Sequence, residues 1–238
     1  MDMAAALILA MALVRAPPSA FDRNSNTLRF SYAVPSDAAA IPALEQYLES
    51  ERQRLLTRER DNADDDRQSS RENHFPFRKH VYSKKWRLVG ASGRLLSLEA
   101  DLEWDTGGAH PNSSTESLLW DKKLNRPISV GYLFARGGAF PTLTRTLYCQ
   151  KLNLDRRKRR RGANLGSYFD HCPPFAELAI APTDSDRNGR FDAIDFVAPP
   201  YVAGPYVEGP YSVRLNLSPA IVSALKPAFR SSFEAHRQ

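Results

Sequence analysis

Oxygen-bearing side chains recur with the spacing of a calcium loop between Asp184 and Asp195. The segment DSDRNGRFDAID has such side chains at positions 1, 3, 5, 9 and 12, and glycine at position 6. Arg190 at position 7 would offer its backbone carbonyl. Because Ca²⁺ takes six to eight hard oxygen ligands, this spacing predicts a structural Ca²⁺ site. Its candidate ligands are Asp184, Asp186, Asn188, Arg190, Asp192 and Asp195.

The same segment also has an interpretation as a polar hairpin turn. Asp, Asn and Gly are the preferred residues of such turns, and Arg187 and Arg190 add positive charge that a cation site would not favour. Asp195 stands where the usual loop has a bidentate glutamate, and the flanking residues alternate as strands do. The segment is therefore either a calcium loop outside a helix–loop–helix context or a simple turn.

Aromatic and imidazole groups concentrate at two other turns. Residues 106–112, TGGAHPN, contain glycines that accept positive φ, and residues 201–211 repeat as YVAGPYVEGPY. The chain contains no HExxH, GxSxG, P-loop or GxGxxG motif, so these turns carry candidate binding groups rather than a recognisable catalytic set. The candidate ligand-binding residues are Trp104, His110, Asn112, Tyr201, Tyr206 and Tyr211.

These side chains also have structural interpretations. A histidine such as His110 more commonly fixes a tight turn than acts as a base, and Trp104 suits a core as well as a sugar-stacking surface. The density of glycine and proline in residues 201–211 means that the three tyrosines need not share a face. A hydrolase would require His110, Asp105 and a carboxylate of residues 99–103 to converge in a cleft.

The elements around these turns predict an α+β fold. Alternating apolar residues predict strands over residues 27–34 and 95–104, and a 3.6-residue apolar period between them predicts a helix. Residues 61–72 contain no apolar side chain larger than alanine and predict a solvated loop. Turns at residues 83–85 and 90–93 divide the following strands, which predicts an antiparallel meander covered by the helix on one face.

The C-terminal half is predicted to be rich in strands. Apolar alternation over residues 128–134 predicts a strand, and residues 140–154 have the apolar stripe of a second helix. Ser218 and Pro219 then mark the start of a final helix, which Pro227 is expected to kink or end. Three further strands are predicted, over residues 177–181, 191–197 and 211–217.

The basic residues are concentrated in one segment. The net charge is +6, and six of the 33 Lys and Arg residues lie consecutively at residues 156–161. Without interleaved aromatic residues or a binding motif, this run predicts an exposed loop, with contact to an anionic lipid or polymer as the alternative. We expect no nucleic-acid partner.

Residues 1–20 have the pattern of a signal peptide. An apolar run of signal-core length precedes small residues, although Asp2 replaces the usual positive charge and leaves a mis-called start or a buried helix as alternatives. No other segment reaches the ~18 apolar residues of a membrane span. In an exported chain, Cys149 and Cys172 are expected to form one disulfide, whereas a cytoplasmic chain would hold two free thiols.

The TGGAHPN turn and residues 201–217 together resemble an exported family of unknown function from bacterial envelopes. Related domains occur in the extracellular part of the lysozyme-sensing anti-sigma-V factor and beside the catalytic domain of a peptidoglycan deacetylase. The resemblance covers residues 28–217. It implies two abutting halves, with a strand, helix and meander over residues 21–126 and a strand-rich α+β half over residues 127–238. The resemblance does not imply sigma-factor regulation or deacetylation for this chain, because no sigma-binding segment, membrane span or deacetylase domain is recognised in it.

We therefore expect a periplasmic or secreted, non-catalytic binding module with one disulfide and a Ca²⁺-stabilised loop. Its partner at the cell envelope would be a protein or peptidoglycan, and lysozyme binding is implied by the resemblance alone. The expectation depends on the lack of a catalytic motif in a chain whose relatives accompany cell-wall functions. The alternative is a cell-wall polymer hydrolase that uses His110 and nearby carboxylates.

Overall fold

The computed structural model describes residues 19–161 and 167–236. The predicted signal peptide therefore lies outside the described residues, apart from positions 19 and 20. The strands are β1 (Ser19–Asn24), β2 (Leu28–Val34), β3 (His80–Ala91), β4 (Leu95–Asp105), β5 (Asn112–Asp121), β6 (Arg126–Ile128), β7 (Ala179–Thr183), β8 (Ala193–Ala198) and β9 (Tyr211–Asn216). The helices are α1 (Ser36–Ala39), α2 (Pro42–Glu72), α3 (Ala139–Arg160), α4 (Pro219–Ser223) and α5 (Pro227–Arg230).

Strands β1 to β6 form one sheet in chain order, which confirms the predicted α+β fold with a meander. The pairs are antiparallel except β2 with β3, which are parallel because α2 crosses over between them. The edge strand β1 was not predicted from the sequence. Its side chains are almost all exposed, so it lacks the alternation of apolar residues that marks a half-buried strand.

Helix α2 is longer than the sequence pattern predicted. The expected loop at residues 61–72 is helical, and Ala63 and Ser70 are buried there. The Thr27 hydroxyl donates to Asp64 Oδ1 at 2.7 Å, which ties this polar part of the helix to the start of β2. The 3.6-residue period of large apolar side chains does not extend over residues 61–72, because small and polar residues make the contacts there. This period therefore did not predict the last turns of α2.

The face of the sheet that α2 covers forms the first core. Leu44 and Leu48 of α2 pack with Phe30, Leu98 and Trp120 of the strands. The turn expected at residues 83–85 does not exist, because β3 runs unbroken through it. Its charged residues fit a strand since the Lys84 ammonium is buried and donates to two carboxylates.

The second core lies mainly in the C-terminal half, where β7, β8 and β9 form an antiparallel sheet and α3 packs on β9. It also includes Leu95 of β4 and Leu119 of β5. The strand expected at residues 128–134 ends at Ile128, and a 3₁₀ helix over Val130–Leu133 follows. Pro227 begins α5 rather than ending a longer helix. The expected disulfide is present and joins Cys149 of α3 to Cys172.

The basic run is not the exposed loop that the sequence predicted. Residues 156–160 continue α3, and Arg156 is buried. Its guanidinium donates to the backbone carbonyls of Ala203, Asp170 and His171 at 2.9, 3.3 and 3.0 Å. Part of the run therefore organises neighbouring backbone instead of facing solvent.

The C-terminal half packs on the face of the first sheet opposite α2. Ile180 N donates to Ser117 Oγ of β5 at 3.0 Å, and Asp184 N donates to Val89 O of β3 at 3.1 Å. Gly90 lies at a register shift of β3, where the Phe191 ring approaches the backbone closely. Among the described residues, no helix combines the length and hydrophobicity required to cross a bilayer.

Candidate functional site

The two glycine–proline turns meet in space and place three of the predicted ligand-binding residues together. The His110 ring stacks on Tyr206 with centroids 4.0 Å apart, and His110 Nε2 lies 3.3 Å from the Tyr201 hydroxyl. The Tyr206 hydroxyl donates to Pro111 O at 2.7 Å. We call His110, Tyr201 and Tyr206 the turn–corner cluster. All three rings retain solvent exposure, so the cluster presents aromatic and imidazole groups to a partner.

Buried charge holds the corner that carries the two tyrosines. Arg160 pairs with Glu208 at 2.9 Å, and the Tyr211 hydroxyl donates to the same carboxylate. Burial raises the pKa of Glu208, but hydrogen bonds from Arg160 and Tyr211 outweigh it, so the pKa lies below its ordinary value. Glu208 therefore stays ionised and fixes the corner at neutral pH.

The other three predicted ligand-binding residues do not join this cluster. Tyr211 is fully buried in the second core and binds Glu208. Trp104 packs with the core that α2 covers, and Asn112 is its direct partner across β4 and β5. The alternation of side chains along β4 explains the separation, because residues 96 to 104 point to α2 at every second position.

The contacts of His110 differ from those that the hydrolase alternative requires. His110 Nδ1 lies 2.8 Å from Pro111 O, and in the described part of the chain no carboxylate hydrogen-bonds to its ring. Asp105 instead accepts a hydrogen bond from Gly107 N at 2.8 Å, and Glu99 pairs with Arg87. Burial raises the pKa of Glu99, with Arg87 opposing that shift. These groups stabilise the hairpin and are not aligned for general acid–base chemistry.

The aspartate loop brings three of its six predicted metal ligands together. Carboxylate oxygens of Asp184, Asp186 and Asp192 lie within 4.8 Å of one another. Asn188 N donates to Asp184 Oδ1 at 3.1 Å, and Gly189 N donates to Asp184 Oδ2 at 2.9 Å. Gly189 has φ of +87°, which allows the loop to fold back over these oxygens. The arrangement presents hard oxygen atoms of the kind that Ca²⁺ prefers.

The remaining predicted ligands have other partners. The Asp195 carboxylate accepts from Arg214 Nε at 2.7 Å and Nη2 at 2.6 Å, away from the three clustered aspartates. Asn188 Oδ1 accepts from Arg190 N at 2.9 Å, so this amide already closes the turn. The structure therefore supplies three carboxylates from the predicted set, and the Ca²⁺ site itself stays a prediction.

Asp192 is the most buried carboxylate of the loop. Burial raises its pKa, but the Ser185 hydroxyl and backbone N–H and the His236 ring outweigh burial, so the pKa lies below the ordinary value. His236 Nδ1 is 2.6 Å from Asp192 Oδ2. The carboxylate is consequently ionised at neutral pH and is held in a fixed orientation toward the loop.

A cavity that the sequence did not reveal lies between α2 and the first sheet. Its volume is about 640 Å³, and we call it the helix-side cavity. Helix α2 contributes Glu51, Arg58 and Glu59 to its lining, and the sheet contributes Tyr82, Lys84 and Trp104. The sequence pattern that could have indicated this cavity is the alternation of side chains along β3, which places Tyr82, Lys84 and Trp86 on one face. A charged residue within that apolar series marks a buried polar site.

Comparison with protein families and solved structures supports the predicted relationship. Residues 22–113 match the family model described as Deacetylase PdaC. A crystal structure of a DUF3298 family member from Bacteroides fragilis NCTC 9343 shares 15% identity and a TM-score of 0.54, covering 90% of this chain and 95% of that chain. A DUF3298 family protein from Pseudomonas aeruginosa PAO1 shares 15% identity and a TM-score of 0.53, with 92% and 95% coverage. Comparison with curated proteins gave no match.

The solved structures establish a shared fold that extends over both halves of the chain. The family match lies in the N-terminal part, from β1 to the start of β5, and includes the TGGAHPN turn. The chain is thus similar to the PdaC family model over residues 22–113 and shares its fold with the two DUF3298 proteins, in agreement with the resemblance noted in the sequence.

Proposed function

We propose that this protein is a non-catalytic binding module of the bacterial cell envelope, and that it contacts a protein or peptidoglycan through the turn–corner cluster. The observation that carries this proposal is the exposed stack of His110 on Tyr206, which is built from both halves of the chain. Exposed aromatic rings with hydroxyl and imidazole groups are typical of interaction surfaces. The match of residues 22–113 to the Deacetylase PdaC family model, together with the resemblance in sequence to exported envelope proteins, supports an envelope location.

An exported location agrees with the disulfide between Cys149 and Cys172. Disulfides persist in oxidising compartments such as the periplasm and are uncommon in the cytosol. The bridge ties the middle of α3 to the segment before β7, and its two cysteines are 23 residues apart in sequence. The periplasmic or secreted location is therefore part of the proposal.

A pull-down against purified peptidoglycan and against lysozyme tests the proposed binding. We expect the protein to be retained on one of them, and Tyr201→Ala to reduce retention at least tenfold, because Tyr201 supplies an exposed ring and its hydroxyl contact to His110. Tyr168→Ala is the matched control, since Tyr168 is also an exposed tyrosine but lies outside the cluster. Failure to bind either target, or equal losses for the two variants, would reject the proposal.

We also propose that Ca²⁺ binds the aspartate loop and stabilises it. The support is the convergence of Asp184, Asp186 and Asp192, whose like charges a divalent cation would neutralise. Asp195 is not needed for this site because Arg214 already pairs with it. A structural role suits a loop that connects β7 to β8.

Calorimetric titration of the metal-stripped protein with Ca²⁺ tests this second proposal. We expect one site with a dissociation constant in the range of about 10⁻⁴–10⁻³ M, as for extracellular calcium modules. Asp186→Asn should weaken it, because this exposed carboxylate has no ion pair among the described residues. Asp101→Asn, an exposed carboxylate on β4, is the control. Absence of binding heat at millimolar Ca²⁺ would reject the site.

A further inference from the structure

Tyr82 lines the helix-side cavity and carries a buried hydroxyl that the protein leaves without a partner. Tyr82 is 4% exposed, and within the described part of the chain its hydroxyl makes no hydrogen bond. The Tyr82 ring is fixed by stacking on Phe30, with centroids 5.4 Å apart. A buried hydroxyl without a partner is costly, so a rigidly held one that lines a cavity indicates a ligand that can bond to it.

The surroundings of this hydroxyl keep it protonated. Burial raises the pKa of Tyr82 above its ordinary value, and the Glu116 carboxylate at the cavity wall raises it further. Arg58 opposes this shift without reversing it. Tyr82 therefore presents a neutral hydroxyl that can both donate and accept a hydrogen bond.

The charges in the cavity are already paired with one another. Lys84 Nζ lies 2.8 Å from Glu51 Oε1 and 2.5 Å from Glu116 Oε2. Arg58 pairs with Glu59 at 2.6 Å. A cationic ligand would meet Lys84 and Arg58, and an anionic ligand would meet three carboxylates, so either would have to break existing pairs. A neutral ligand with several hydroxyl groups can use the unoccupied lone pairs of the carboxylates without breaking them.

Trp104 adds an apolar surface next to Tyr82. The two residues are direct partners across β3 and β4, and Trp104 is only partly buried where it lines the cavity. A flat aromatic ring beside the Tyr82 hydroxyl, the Asn62 amide and the carboxylate groups matches the alternating apolar and polar faces of a sugar ring. We propose that the helix-side cavity binds a neutral saccharide, with one ring on Trp104 and a hydroxyl group bonded to Tyr82.

The saccharide site is separate from the turn–corner cluster and does not depend on the function proposed for that cluster. Calorimetric titration with a neutral disaccharide of N-acetylglucosamine, its cationic de-N-acetylated form and an anionic uronic acid disaccharide tests the charge preference. We expect the neutral sugar to bind at millimolar concentration and both charged sugars to bind at least tenfold more weakly. Equal or stronger binding of a charged sugar, or no binding of the neutral one, would overturn the proposal.

Tyr82→Phe is the decisive variant because it removes only the hydroxyl group. The hydroxyl has no partner among the described residues and is costly to bury, so we expect a melting temperature at or above that of the wild type together with about fivefold to tenfold weaker sugar binding. Tyr168→Ala is the control and should leave sugar affinity unchanged, because Tyr168 is an exposed tyrosine that lies in neither of the two proposed sites. Unchanged affinity of Tyr82→Phe would overturn the site.

Intrinsic fluorescence locates the bound sugar independently of these variants. Trp86 and Trp120 are 6% and 2% exposed, whereas Trp104 is only partly buried, so a ligand at the cavity should perturb Trp104 selectively. We expect a saturable emission change on titration with the neutral disaccharide and no such change in Trp104→Phe. A change of equal size in that variant would place the sugar elsewhere and overturn the assignment.

Discussion

The contact between the two halves at Gly90 can be tested by adding one methyl group. A Cβ atom at this position would lie 2.6 Å from Phe191 Cε1 and 2.8 Å from Asp184 N. Phe191 is fully buried and packs on Phe233 with centroids 5.1 Å apart, so its ring has little room to retreat. Gly90→Ala should therefore push β3 and the aspartate loop apart.

The expected loss of unfolding free energy in Gly90→Ala has two contributions. Forced overpacking of a buried ring costs about 1–3 kcal/mol, and loss of the Asp184 N to Val89 O hydrogen bond costs about 1 kcal/mol. The sum, about 2–4 kcal/mol, should lower the melting temperature by roughly 5–15 °C for a protein of this size. Urea unfolding followed by near-ultraviolet circular dichroism measures the free energy of unfolding directly.

A nearby glycine provides the matched control. Gly93 has no atom within 4 Å of its added Cβ, so Gly93→Ala should change the free energy of unfolding by less than about 0.5 kcal/mol. Phe191→Leu should cost less in the Gly90→Ala background than in the wild type, since it removes part of the clash. Equal stability of the two alanine variants would refute the close approach of Phe191 to β3.

Three further changes test the groups that fix each half. Replacing Cys149 and Cys172 by serine should lower the unfolding free energy by about 3 kcal/mol in urea, given the 23-residue separation. The pKa of Asp121 lies below its ordinary value because hydrogen bonds from Arg94 and backbone N–H groups outweigh burial, which raises it. Its stabilisation is therefore present above the unfolded pKa of about 3.9 and lost as pH falls through the folded value, and Asp121→Asn should flatten stability against pH in acid. Arg156→Met should cost about 2–4 kcal/mol in urea because three backbone carbonyls lose their donor.

Much of the fold follows from local patterns in the sequence. The sequence correctly predicted β2 and β9 from alternating apolar residues, because every second residue of these strands is buried. It also correctly predicted β4, β7 and β8, which are buried on both faces over most of their length. The Asp184–Asp195 spacing anticipated that three aspartates converge, since the loop is short and its glycine adopts positive φ. Local information was sufficient where the determining contacts are close in sequence.

The errors arose where distant partners decide the structure. The sequence predicted a turn at residues 83–85, yet Lys84 fits within β3 because Glu51, 33 residues away, and Glu116, 32 residues away, neutralise it. The basic run was predicted to be an exposed loop because it lacks interleaved aromatic residues and a binding motif, although the carbonyls of residues 170, 171 and 203 bind Arg156. Charge is a poor guide to exposure when a buried partner lies far along the chain.

The hairpin of β4 and β5 carries groups for two different surfaces, and its geometry explains why. Trp104 lies in the strand, where register with Tyr82 directs it toward α2 and the helix-side cavity. His110 lies beyond the strand, in a turn whose Gly107 has φ of +84°, and there it stacks on Tyr206 of the other half. The two surfaces are thus held by different elements. The helix-side cavity is formed with β3 and α2, and the turn–corner cluster is formed with residues 201–209. Tyr82→Phe should therefore weaken only the sugar binding proposed for the helix-side cavity, and Tyr201→Ala should weaken only the binding proposed for the turn–corner cluster.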